Sequence, residues 1–76
     1  MKYKIGDTFK LFDNHGYYII YEVIPSDKEL DGWYRVNHIC KYIQIHENSK
    51  SFTRKTFENK ISNQQIEFVG NSFYER

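Results

Sequence analysis

The chain of 76 residues has one cysteine, one proline and four scattered glycines, and each scarcity excludes a class of protein. A single cysteine cannot form an intramolecular disulfide, so a small secreted scaffold held by disulfides is excluded and a reducing compartment is favoured. Because the glycines are isolated, the sequence offers no glycine-rich loop that could hold a phosphate group.

Long apolar runs are also missing. No stretch is long enough to cross a bilayer, and residues 1–7 lack the apolar segment of a signal peptide. We therefore expect a cytoplasmic protein. The sequence has no internal repeat, no low-complexity tract and no linker rich in proline, glycine or serine, so residues 1–76 are predicted to form a single domain.

Neither sign of charge dominates, since 11 lysines and arginines stand against 10 acidic residues. This balance is unlike that of domains that neutralise many phosphates, which are usually strongly basic. The charges are unevenly placed, with an acidic stretch at 22–31 and a basic stretch at 41–60. Partners of either sign on different faces remain compatible with this distribution.

Aromatic residues are abundant, at 18% of the chain. Each ring buries about 150–250 Å². This suits a domain so small that folding buries only roughly 60% of the surface of the unfolded chain. Most of these rings are therefore expected to be structural.

Runs rich in β-branched and aromatic residues predict the strands. They lie at 7–12, at 17–24, from 33 to about 46 with a bulge or sharp bend near Cys40, and at 65–69. Residues 13–16 have turn chemistry, so the first two strands are predicted to form a hairpin. The second strand is apolar at both odd and even positions, which predicts cover on most of both faces.

Residues 53–62 predict a short helix before the last strand. Thr53 is suited to the N-cap, and Phe52 before it can pack on Phe57 as a hydrophobic staple. Asn63 is suited to the end of the helix. The alternative for this region is a hairpin that turns at 47–50.

When the two arms on either side of the bend near Cys40 are counted separately, the sequence predicts five short strands. Together with one helix, these indicate a mainly β protein. The predicted architecture is either a small five-stranded SH3-like barrel or a strongly bent antiparallel sheet. Five strands in so short a chain also leave room for an open sheet edge, so a homodimer formed by strand pairing is one predicted arrangement.

The segments 3–9 (YKIGDTF), 18–23 (YIIYEV) and 33–36 (WYRV) resemble the beginning of SH3-like small barrels, in which a K-x-G-D-x-F turn leads into the first strand. The lysine, isoleucine, asparagine and tyrosine usage is similar to that of short uncharacterised phage and prophage proteins of low-GC bacteria. The resemblance covers about the first half of the chain and implies a binding module without a defined ligand.

Catalytic and metal chemistry have candidate residues but weak support. Cys40 with His38 or His46 could form a nucleophile and base, yet no helix is predicted to start beside Cys40, and a buried, inert thiol is favoured. The same three residues suit zinc, but a fourth ligand such as His15 would have to come from elsewhere in the fold. The acids within 27–31 lie in a polar loop that offers no desolvation. We expect no enzymatic activity, no cofactor and no metal.

The segment at 32–42 (GWYRVNHICKY) holds the candidate binding residues. Alternation along a strand directs Tyr34 and Val36 to the core and Trp33, Arg35 and Asn37 outward. Tryptophan and arginine are the residue types most enriched in interface hot spots.

Two interpretations of the outward side chains stay open. In the first, they form a contact surface to which Tyr17 or Tyr18 adds a ring. In the second, Trp33 covers one end of a barrel and Arg35 pairs with Glu22 on the neighbouring strand.

The predicted function is a non-catalytic interaction module of phage or prophage type. It would bind a host or phage protein through the aromatic and arginine face, and an inhibitor such as an anti-defence factor is one form of it. The alternative is a small barrel that binds nucleic acid, with rings that stack on bases and cations that follow the backbone, namely Lys41, Lys50, Arg54 and Lys55.

Overall fold

The computed structural model describes residues 1–12, 16–39 and 48–71. Within these ranges the elements are β1 (Asp7–Leu11), β2 (Tyr17–Ile24), β3 (Trp33–Ile39), β4 (Asn48–Thr53), α1 (Arg54–Ser62) and β5 (Ile66–Asn71). All strands belong to one antiparallel sheet with the order β4-β3-β2-β1-β5. The first four strands thus form a meander, and α1 carries the chain back to the far edge.

The prediction of a mainly β protein with one short helix before the last strand is confirmed. The barrel alternative is wrong, because the described strands form an open sheet in which β4 and β5 are the two edges. No ladder joins those edges in the described part of the chain, since three strands separate them.

Strand boundaries follow the sequence closely where the apolar pattern is strong. β2 spans Tyr17–Ile24 as predicted. No strand was predicted at β4 (Asn48–Thr53), where the alternative placed a turn. The alternative hairpin turn at 47–50 is therefore wrong. The predicted strand beyond residue 40, with its bend near Cys40, lies outside the described residues.

The helix begins as predicted. The Thr53 hydroxyl accepts a hydrogen bond from the backbone N–H of Thr56 at 3.2 Å, and the rings of Phe52 and Phe57 lie 5.8 Å apart. At the other end, the N–H of Asn63 donates to the carbonyl of Asn59. The N-cap, the hydrophobic staple and the terminating asparagine are all confirmed.

The core lies between α1 and one face of the sheet, which we call the inner face. Phe57 is fully buried at its centre, with ring centroids 4.9 Å from both Phe9 and Tyr34. The remaining buried members are Leu11, Tyr18, Ile20, Val36 and Ile66. The predicted burial of Tyr34 and Val36 is confirmed.

A tight turn ties the N-terminal segment to the sheet. Asp7 donates its N–H to the carbonyl of Lys4, and Gly6 has a φ of 93°, which glycine adopts at low cost. The buried Asp7 carboxylate accepts from Asn71 Nδ2 at 2.8 Å. The predicted glycine-aspartate turn therefore leads into β1, and its aspartate also fixes the end of β5.

Candidate contact surface

The face of the sheet opposite α1, which we call the outer face, is set by the strand register. The one helix in the described ranges packs on the inner face. The outer face carries Thr8, Lys10, Tyr17, Ile19, Tyr21, Glu22, Ile24, Trp33, Arg35, Asn37, Ile39, Ser49, Ser51, Thr53 and Glu67.

A β-bulge in β2 enlarges the aromatic part of this face. The register with β3 shifts between Ile20 and Glu22, so Tyr21 is the extra residue. The Tyr21 hydroxyl hydrogen-bonds with the Ser49 hydroxyl on β4. As a result, Tyr21 and Glu22 both lie on the outer face, and Glu22 stands opposite Arg35.

Trp33 and Arg35 are held differently. Arg35 Nη1 lies 3.2 Å from Glu22 Oε1, with both side chains 47% exposed, and such a surface pair contributes about 0.2–1 kcal/mol. The predicted pairing of Arg35 with Glu22 is therefore confirmed. Trp33 stands opposite Ile24 and Thr53 and keeps 39% of its surface exposed. The Trp33 side chain is thus available to a partner.

The outer face is more apolar than a solvated sheet face usually is. An antiparallel sheet with one wet face normally alternates apolar and polar residues. Here five large side chains are each 37–48% exposed, namely Tyr17, Tyr21, Ile24, Trp33 and Ile39. The predicted cover on both faces of β2 is therefore wrong for the described part of the chain.

The structure brings Trp33, Arg35 and Asn37 together but separates Tyr18 from them. Tyr18 is only 7% exposed and lies on the inner face, 5.3 Å from the His38 ring. It pairs with Phe9, which points into the core. Tyr17 is therefore the neighbouring tyrosine that shares the outer face.

The basic residues predicted to contact a nucleic-acid backbone do not lie beside the aromatic rings of the outer face. Arg54 donates from Nε to Asp31 at 2.8 Å and from Nη1 to Glu58 at 3.1 Å, and these pairs raise its pKa. Lys55 is exposed on the first turn of α1. Lys41 lies outside the described residues.

Two further lysines lie over rings of the inner face. Lys50 Nζ is 6.0 Å from the Tyr18 ring centroid, and Lys60 Nζ is 5.3 Å from that of Phe52. Near Lys60, a groove of about 400 Å³ opens between the end of α1 and the sheet, lined by Leu11, Phe12, Tyr18, Gln64, Gln65 and Ile66. The described cations are thus dispersed over several parts of the surface.

The loop between β2 and β3, which carries Asp27 and Asp31, has a structural role. The backbone N–H groups of Leu30 and Glu29 lower the pKa of Asp27. The N–H of Lys55 donates to Asp31 Oδ2 at 2.9 Å and, with Arg54, lowers the pKa of Asp31. Asp31 therefore anchors the loop to the start of α1.

Asp31→Asn is expected to lower the melting temperature at neutral pH. Folding lowers the pKa of this carboxyl group, so its charged form stabilises the protein at every pH above the unfolded pKa of about 3.9. The stabilisation is lost as the pH falls through the lower pKa that the group has in the folded protein. The difference from wild type should thus shrink below about pH 4. Thermal melts of the wild type and Asp31→Asn, from neutral pH to below about pH 4, check this prediction. Glu29→Gln is the control from the same loop. An undiminished difference in acid would contradict the role of the charge.

The residues considered for metal and thiol chemistry are mostly outside the described ranges. These are His15, Cys40 and His46, whereas His38 packs beside Tyr18. Among the described residues, no three histidine, cysteine or acidic side chains are grouped so that they could hold a metal ion. The same residues include no helix long and apolar enough to span a membrane.

Comparison with known proteins returned no match to a family model, to a curated protein or to a solved structure. The resemblance to SH3-like barrels and to phage proteins therefore stays a prediction. The outer-face residues that sequence reasoning missed are Tyr21, Ile24 and Ile39. The sequence pattern that could have identified Tyr21 and Ile24 is the presence of apolar residues at both odd and even positions of β2.

Proposed function

We propose that the protein is a non-catalytic interaction module that binds a protein partner through the outer face, with Trp33 and Arg35 at the contact. The observation that carries this proposal is the set of five half-exposed apolar side chains on that face. Exposed apolar patches with a polar surround are characteristic of protein interaction sites.

The charges of the outer face favour a protein over a nucleic acid. Lys10 and Arg35 are balanced by Glu22 and Glu67, and Arg35 is already paired with Glu22. A phosphate backbone would gain little from such a neutral surface. A protein interface, in contrast, is typically rich in aromatic residues and arginine and poor in unpaired charge.

The class of partner is proposed from the sequence resemblance. Similarity to short phage and prophage proteins supports a host or phage protein as the partner, and an inhibitor of a host defence protein is one form of this function. The nucleic-acid alternative has less support, because Tyr18 is buried and Arg54 is held in two ion pairs.

The test compares proteins retained from a bacterial host lysate by immobilised wild type and by folded variants. A specific partner should be retained by wild type and by the control Lys55→Ala, whose side chain lies on α1, and lost with Trp33→Ala and Arg35→Ala. Retention of the same protein by every variant would overturn the proposal.

The alternative is tested with a labelled oligonucleotide. Binding that weakens steeply from low to physiological salt would support nucleic-acid recognition, because phosphate contacts release counterions. No binding at low salt would exclude it.

A further inference from the structure

The first five residues, which we call the strap, lie against the core without belonging to any strand or helix that the structure describes. Four of them are exposed, whereas Tyr3 is partly buried and packs on the core cluster. Met1 lies against Gly32, where an added Cβ would be 2.7 Å from the methionine sulfur. The strap thus reaches from the loop before β3 to the start of β1.

Four rings surround the ring of Tyr3 and form what we call the aromatic cage. The ring centroid of Tyr3 lies 5.1 Å from that of Phe9, 6.0 Å from that of Tyr34 and 6.3 Å from those of Phe57 and Phe68. The first three contacts have the edge-to-face geometry that aromatic pairs favour. The backbone N–H of Tyr3 donates to the Tyr34 hydroxyl at 3.2 Å. The cage therefore holds an aromatic residue both by its ring and by its own N–H.

Two buried polar side chains fasten the strap beside β1. The Asp7 carboxylate accepts a hydrogen bond from the N–H of Lys4 at 3.0 Å. Asn71 Nδ2 donates to the carbonyl of Ile5 at 3.1 Å. Asp7 and Asn71 are themselves joined at 2.8 Å and lie on β1 and β5. The sheet thus holds the end of the strap through side chains.

Gly6 is suited to act as the hinge between the strap and the sheet. Its N–H donates to the carbonyl of Ile20 at 2.8 Å, and its φ of 93° lies in the region that glycine adopts at low cost. The β1 ladders begin after it, at Asp7 and Thr8. The buried core cluster does not include Tyr3, so its members keep their mutual contacts when the strap leaves. A segment with little buried apolar surface opens at a lower free energy than the whole domain.

We propose that the strap swings away about Gly6 while the sheet stays folded, and that the open aromatic cage then binds a tyrosine or phenylalanine of a partner peptide. In the closed state, Tyr3 is the intramolecular occupant of this site. An incoming aromatic residue supplies the same two groups, a ring for the cage and an N–H for the hydroxyl of the fully buried Tyr34. Phe68 is 47% exposed, so one side of the cage borders solvent. The cage lies on the inner face and does not depend on the proposed function of the outer face.

Amide hydrogen exchange tests the opening. In the wild type, the Lys4 amide should exchange at a lower free energy than that of Val36 in the centre of the sheet. Tyr34→Phe removes the acceptor of the Tyr3 N–H and keeps the ring. It should speed exchange at Lys4 by about two- to tenfold, the effect of one hydrogen bond, although the acceptor of Lys4 is unchanged.

Tyr17→Phe is the matched control, because Tyr17 lies on the outer face, and it should leave the rate at Lys4 unchanged. Faster exchange confined to Tyr3, or exchange of Lys4 only together with the whole sheet, would overturn the strap.

N-acetyl-tyrosinamide, which carries a tyrosine ring and an N–H, tests the binding site. It should raise the melting temperature of Tyr3→Ala progressively with its concentration, because this variant leaves the cage empty and a ligand of the folded state stabilises that state. Tyr17→Ala, which keeps Tyr3 in the cage, should show a much smaller rise. N-acetyl-leucinamide, which has no ring, should show none with either variant.

The wild type provides a second measurement with the same probe. N-acetyl-tyrosinamide should speed exchange of the Lys4 amide, because it captures the open state of the strap. No effect of the probe on either protein, or equal shifts for Tyr3→Ala and Tyr17→Ala, would overturn the site. Trp33→Ala should leave these results unchanged, so the cage and the outer-face function can fail separately.

Discussion

Phe57→Ala is expected to destabilise the protein by about 3–5 kcal/mol, the usual cost of removing a buried phenylalanine ring. Phe57 is fully buried and its ring contacts Phe9 and Tyr34 directly. Since it is the only buried residue of α1, its loss also removes the main attachment of the helix to the sheet. Domains of this size have a free energy of unfolding of about 4–11 kcal/mol, so the substitution removes a large fraction of it.

Urea denaturation followed by circular dichroism measures this effect. Phe12→Ala is the matched control, because Phe12 is 52% exposed and surface substitutions usually change stability by about 0.5 kcal/mol or less. A Phe57→Ala protein as stable as Phe12→Ala would contradict the position of the helix on the inner face.

Trp33→Ala is expected to weaken binding of the partner retained by the outer face by about 30-fold or more. This corresponds to the 2 kcal/mol or more lost when a hot-spot residue is truncated. The effect on the free energy of unfolding should be much smaller, because Trp33 is 39% exposed and lies outside the buried core. Loss of affinity with retained stability is the signature of a contact residue.

Isothermal titration with the purified partner measures the change. Lys55→Ala serves as the control, since Lys55 is exposed on the first turn of α1, which packs on the inner face. Equal affinities for the wild type and Trp33→Ala would show that Trp33 has no part in the contact.

The elements defined by local signals were predicted from the sequence. Thr53 and the staple of Phe52 with Phe57 marked the helix start, and alternation around Tyr34 and Val36 identified the inner face. These features depend on neighbouring residues and on the period of one element. The helix start and the inner face can therefore be predicted without knowledge of the fold.

The features that depend on distant pairing were not predicted. β4 is mostly polar, and its position follows from its ladder with β3 rather than from its own composition. The bulge at Tyr21 is set by the register between β2 and β3. Likewise, Asp31 reaches the start of α1 across 24 residues of sequence to accept from Lys55. Strand order, which decides between barrel and open sheet, is also a property of the whole chain.

The exposure of Trp33 tests the central claim most directly, and its fluorescence can be observed alone because it is the only tryptophan. In the free protein, a neutral quencher such as acrylamide should reach the indole of Trp33, as expected for a ring that is 39% exposed. Addition of the partner should protect it. An indole that is inaccessible in the free protein, or equally accessible in the complex, would contradict the outer face as the contact surface.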